Sequence, residues 1–123
     1  MLLTRHARLG RWLQTGGHLE PTDASLTAAA GREATEESGL PGLRTDPDPL
    51  LLSAHPLPPS VPCARGGPMT HLDVQHLVLA GAVDPPVVSA ESTAVQWFDV
   101  TGLPEVDVSV RALVAAAGRR LGW

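Results

Sequence analysis

Residues 16 to 40 read GGHLEPTDASLTAAAGREATEESGL, and any fold for the chain has to accommodate this stretch. A tight glycine loop feeds a helix bounded at both ends. Asp23 is placed as N-cap, with a side-chain oxygen for the free N–H groups of the first turn. Gly39 stands where a left-handed C-terminal cap belongs, and Pro41 forbids continuation. Between them lie Ala, Leu, Arg and Glu, all strong helix formers. At about 100° per residue, Leu26, Ala29, Ala30 and Ala34 form one apolar stripe. Glu33 and Glu37 fall on that same stripe, and Glu36 lies beside it.

The inner stripe therefore turns from apolar to acidic toward its C-terminal end. Carboxylates crowded together and part-buried repel one another and lose hydration. The helix C-terminus cannot offset them, because its dipole end is itself negative. A hard divalent cation with oxygen ligands can. Mg²⁺ is the leading choice, with Mn²⁺ as the alternative, because it binds carboxylates, waters and substrate phosphates together. A Glu-Glu pair alone would read as solvated surface. Arg32 and Glu36 alone would read as an i,i+4 pair worth about 0.3–0.5 kcal/mol. The glycine loop, the capped helix and the acids in one run argue for more.

Gly17, Asp23 and the run Arg32-Glu33-Ala34-Thr35-Glu36-Glu37-Ser38-Gly39-Leu40 resemble the Nudix box. That pattern is Gly, five residues, Glu, seven residues, then Arg-Glu-apolar-x-Glu-Glu-x-Gly-apolar. Two departures stand out. Asp23 replaces the first Glu, and one extra residue separates it from Arg32. Asp23 is accordingly read as a cap rather than a ligand. Leu9 to His18, LGRWLQTGGH, is similar to one group within the family whose members carry a further strand upstream. An edge left open by its absence is an association hazard, which points to a homodimer or an association-prone monomer.

Composition narrows the class. A chain of 123 residues with 43% hydrophobic residues is expected to be one globular domain spanning 1–123. Aromatics are only 3%, so the core must be built from Leu, Val and Ala. The net charge of −4 argues against nucleic acid as a partner. The single Cys63 excludes an internal disulfide framework and fits a reducing, cytoplasmic setting. Cys63 has no base placed beside it by sequence and is not read as a nucleophile. No apolar run approaches about 18 residues, so no membrane span is expected.

Along the chain, Met1 to His6 reads as a strand, and Trp12 to Gln14 as a second, with Trp12 in the core. Pro41 to Pro49 reads as a loop, Leu50 to His55 as a strand, and residues 56 to 68 as an irregular proline-rich loop. Thr70 to Val83 reads as a central strand covered on both faces. Ala94 to Val100 is the next strand. Asp107 or Ser109 caps a final helix through Leu121, whose apolar face holds Val110, Leu113, Val114 and Ala117. Gly31 weakens the acidic helix by about 1 kcal/mol relative to Ala, with no reason visible in the sequence. His55, His71 and His76 lack the spacing of a zinc site.

The resemblance implies an α/β fold, an α/β/α sandwich with a mixed β-sheet that lacks the first N-terminal strand. It also implies hydrolysis of a small nucleoside diphosphate linked to another group. Glu33, Glu36 and Glu37, with the Gly17 carbonyl, would hold the metal, and Glu91 resembles a loop Glu that completes such sites. Glu33 or Glu91 would orient or deprotonate the attacking water. Arg5, Arg11 and His18 are the candidates for meeting substrate, since an acidic chain handling an anion needs local donors. The alternative class is a Nudix-fold module that binds a nucleotide or metabolite without cleaving it.

Overall fold

The computed structural model describes residues 1–58, 67–81 and 84–123. Its element order is β1 (Leu2–His6), β2 (Trp12–Leu13), α1 (Leu26–Ser38), β3 (Arg44–Leu57), β4 (Met69–Leu79), β5 (Ser92–Trp97) and α2 (Val108–Leu121). The α/β class holds, and the arrangement is that of an α/β/α sandwich, with all described strand pairs antiparallel.

β1 is the middle strand of a sheet ordered β2-β1-β5. Its apolar residues explain the position, since Leu3 is fully buried and Thr4 nearly so. Beyond the strand ends, Phe98 N–H donates to the Met1 carbonyl at 2.8 Å, and the Met1 amino group donates to the Phe98 carbonyl at 2.6 Å. The turn from β1 to β2 is closed by His6 Nδ1, which accepts from the backbone N–H groups of Arg8 and Leu9. Trp12 is half-buried and meets Phe98 edge-on, with ring centroids 4.9 Å apart.

β3 and β4 form a second, two-stranded sheet, and here the structure corrects the sequence reading. The segment before Leu50 is not a loop. β3 begins at Arg44 and carries its prolines through register shifts between Thr45 and Pro49 and between Pro49 and Leu51. Irregularities of this kind let a strand keep residues that cannot donate to the ladder. β4 is not central either. Among the described residues it pairs with β3 alone, so β4 is an edge strand, while β1 is flanked on both sides. Residues 59–66, with Cys63, and 82–83 lie outside the described residues.

α1 packs on β3, β4 and β5, and α2 packs on β3. Ala29 and Ala34 of the predicted stripe are buried, whereas Leu26 at its start is 45% exposed. The Gly31 puzzle resolves at the α1–β3 contact. A Cβ there would stand 2.9 Å from Thr45 Oγ1, so the helix can approach the strand only without a side chain. Asp107 caps α2 by accepting from Ser109 and Val110 N–H, and Val110, Leu113 and Ala116 are buried beneath it. Arg120 on α2 ties down β3 through Asp46, at 2.5 Å, and the Pro49 carbonyl, at 3.2 Å. Between the two sheets runs a largely apolar cleft of about 1040 Å³ lined by residues of β1, β4, α1 and α2.

Candidate active site

An acidic cleft of about 450 Å³ opens where the glycine loop meets the C-terminal half of α1. Gly17, His18, Glu20, Glu33, Glu36, Glu37, Ser89, Ala90 and Glu91 line it. The loop after β2 and the loop before β5 are brought together over α1, so residues far apart in sequence share one wall. Leu40 is buried two residues beyond α1. Gly39, at φ +66°, ends the helix, its N–H donating to the Thr35 carbonyl.

The helix start differs from the expectation. Ser25, not Asp23, is the N-cap, its side chain accepting from Ala28 N–H at 3.0 Å. Asp23 lies two residues earlier, in the loop, and grips Arg32. Its carboxylate accepts from Arg32 Nε at 2.8 Å and Nη2 at 2.9 Å, a bidentate fork. Glu20 N–H donates to the same carboxylate at 2.8 Å. The Arg32 hydrogen bond comes first among the causes that pull the Asp23 carboxyl down to about 2. In return Asp23, ahead of Glu33, raises the Arg32 guanidinium above its ordinary value.

Arg32 thus stands at the centre of a charge network rather than on a plain surface. Nη1 also donates to Glu33 Oε1 at 2.9 Å and Glu36 Oε2 at 3.1 Å, and lies 3.5 Å from Glu20 Oε1. Nη2 donates to the His18 carbonyl at 3.2 Å. One guanidinium therefore fixes two acids of α1 and pins the loop that follows Gly17.

The three acids of the helix differ in setting. Glu36 is exposed, Glu33 is half-buried, and Glu37 is only 9% exposed. Glu37 Oε2 accepts from Gly16 N–H at 2.9 Å. Burial pushes the Glu37 carboxyl up; the Gly16 bond opposes this, and the charges of Glu33, Glu91 and Glu36 push it further up. A buried acid whose nearest charged neighbours are all negative is the situation in which a bound cation would most lower the free energy.

Gly17 is an all-or-nothing position. A Cβ there would lie 2.3–2.6 Å from the Glu33 carboxylate atoms, so the backbone and that carboxylate are in contact only because the residue is glycine. Ser89 Oγ is buried with no hydrogen-bond partner among the described residues, and it lines the same cleft. Apart from the His18 imidazole, the donor set is a backbone loop, carboxylates and one idle hydroxyl, all hard oxygen. It fits Mg²⁺ or Mn²⁺ and suits no soft metal.

Of the residues expected from the sequence, Gly17, His18, Glu33, Glu36, Glu37 and Glu91 meet in this cleft. Arg5 and Arg11 do not reach it. Arg5 Nε donates to the Gly10 carbonyl at 3.3 Å across the β1–β2 turn, and Arg11 lies near Asp107 at the start of α2. Glu20, Ser89 and Ala90 were not foreseen. Glu20 sits three residues after Gly17 in the loop already singled out, so its proximity was legible; Ser89 and Ala90 carry no signal of their own.

Comparison with known proteins agrees with the geometry. Residues 1–117 match the family profile of the NUDIX domain. Among solved structures, the chain is similar to a C. elegans Ap4A hydrolase determined as a binary complex. The two share 18% identity, with a TM-score of 0.66, over 98% of this chain and 85% of that one. At that identity the likeness concerns the fold. No curated protein matches the chain.

Proposed function

This chain belongs to the Nudix family, and we propose that its acidic cleft hydrolyses a nucleoside diphosphate linked to another group with the help of Mg²⁺ or Mn²⁺. As a Nudix hydrolase it acts on a pyrophosphate bond; the cation, the substrate class and the residue roles are inferred from the site. The observation that carries the reading is Glu37, buried among Glu33, Glu36 and Glu91 with its carboxyl pushed up.

Glu33, Glu36, Glu37 and the Gly17 carbonyl would hold the cation. When bound, it would offset phosphate charge, polarise the phosphorus centre and acidify a coordinated water. The chain's own groups do the rest. Arg32, anchored by Asp23, positions Glu33 and Glu36 and does not touch substrate. Because Arg32 already occupies Glu33 Oε1, Glu91, on the facing loop, is assigned as the base that takes the proton from the attacking water. His18, at the cleft mouth, is assigned to substrate.

Neither Arg5 nor Arg11 keeps a substrate role in this reading. The substrate is small and soluble, with neither a nucleic acid nor a membrane as partner. Among the described residues, no helix is long and apolar enough to cross a membrane. One domain carries the activity, and a single cysteine suits a reducing cytoplasm.

The test is a panel of nucleoside diphosphate derivatives, including nucleotide sugars and dinucleoside polyphosphates, incubated with Mg²⁺ and read by product release. Wild-type chain is expected to turn over at least one class, and Glu37→Gln to lose about tenfold or more while keeping its circular dichroism spectrum. Tight binding without release across the panel would instead make the chain a binding module. If Glu91 is the base, Glu91→Gln flattens the acidic limb of the rate–pH profile and Glu33→Gln leaves its shape intact.

A further inference from the structure

Beside the acidic cleft, the β3–β4 register assembles a second set of ligating side chains. His55 stands directly opposite His71 across the two strands. Asp73 lies two residues further along β4, on the same face as His71 because strand side chains alternate. His55 Nδ1 lies 3.3 Å from Asp73 Oδ2, and His71 Nδ1 lies 4.0 Å from Asp73 Oδ1. The His55 and His71 rings are 5.4 Å apart and nearly perpendicular. One donor atom from each of the three residues lies within 4.8 Å of the others.

We propose that His55, His71 and Asp73 form a binding site for a divalent transition metal of the Zn²⁺ class, separate from the carboxylate cleft. The donor chemistry separates the two sites. Imidazole nitrogens suit Zn²⁺, Ni²⁺, Fe²⁺ and Cu²⁺, whereas the carboxylate-rich cleft suits Mg²⁺. Tetrahedral coordination at about 2.0–2.2 Å puts donors roughly 3.3–3.5 Å apart. The observed separations close to that range by side-chain rotation alone, since His55 is 51% exposed and His71 38%.

The surroundings are those of a ligand set. Ser53 Oγ donates to Asp73 Oδ2 at 3.4 Å, the kind of outer hydrogen bond that orients a ligating carboxylate. His18 stands with its ring 5.4 Å from that of His71, outside the three-residue donor group. It also lines the acidic cleft. The three-residue site does not depend on the hydrolytic reading of the cleft.

The test uses the untagged full chain, stripped with chelator and held in excess Mg²⁺ so that the acidic cleft is saturated. Calorimetric titration with ZnCl₂, and in parallel the visible absorption of added Co²⁺, are the readouts. One equivalent is expected to bind, with the intense visible bands of Co²⁺ in a four-coordinate site. His55→Ala and Asp73→Asn are expected to abolish that uptake, whereas Glu33→Gln/Glu37→Gln retains it. Both side chains of the first pair are at least one-third exposed, so the fold should survive; circular dichroism checks this. No uptake in excess Mg²⁺ would overturn the proposal. So would uptake that survives in His55→Ala and Asp73→Asn but fails in the double glutamate variant, which would place the ion in the acidic cleft.

Discussion

At Gly17 the missing side chain is what leaves room for the Glu33 carboxylate. A methyl group there would displace the Glu33 carboxylate, which is the mobile end of a side chain. Gly17→Ala is therefore expected to leave the thermal midpoint within about 2 °C while reducing turnover at least as much as Glu33→Gln does. Steady-state rates and a melting curve on the same preparation check this. Glu37 makes the opposite prediction for stability. Its folded pKa lies above the ordinary value of 4.5. Below pH 4.5 both folded and unfolded chains hold the proton, and the burial carries no penalty. As pH rises through the folded value, the buried charge must form, and stability is lost. Without divalent ion, Glu37→Gln should thus melt higher than wild type at neutral pH, and the gap should close toward pH 4.5. Adding Mg²⁺ should raise the wild-type midpoint and not the variant's. Midpoints measured across pH with and without the ion decide it.

At the scale of the element, α1 is fixed at one end by Ser25 and at the other by Gly39. Ser25→Ala should cost about 1 kcal/mol in denaturant unfolding with turnover unchanged. Asp23→Ala should cost both stability and turnover, because it frees Arg32 and takes the acceptor from the Glu20 N–H. The contact of α1 with β3 makes a further prediction. Gly31→Ala ordinarily stabilises a helix by about 1 kcal/mol. Here the added Cβ meets Thr45 Oγ1, so the gain should be absent in wild type and recovered in a Thr45→Ala background. A double-mutant cycle by urea unfolding measures it.

For the whole molecule, the consequence lies in the division into two sheets. The cleft between them is mostly apolar, and Gln14 Oε1 and His76 Nε2 are buried along it without a partner among the described residues. The free edge of β4 presents unpaired backbone groups, and Leu52 and Leu72 are more than 70% exposed on the β3–β4 sheet. An open edge beside apolar surface favours association. The chain is expected to form homodimers as its concentration rises. Light scattering would show a mass moving from 12.9 kDa toward twice that value; a constant monomer mass at high concentration would rule the association out.

What could be read along the chain is what local chemistry sets. Helical periodicity placed Glu33 and Glu37 on the inner face of α1, glycine at position 39 marked its end, and Asp107 or Ser109 marked the start of α2, where the structure selects Asp107. These depend on neighbours within one turn. The same logic misassigned Asp23, because a cap and a salt-bridge partner are the same residue type until the chain path is known. It also stopped β3 short, since prolines read as loop unless a partner strand absorbs them in bulges. Glu91 could be nominated only by family likeness, and Ser89 not at all, because both reach the cleft on a loop distant in sequence. His55 and His71 looked unrelated by spacing and became neighbours through the antiparallel register of β3 and β4. Contacts of that kind are long-range; they exist only once the strands have paired and the helix has packed against them.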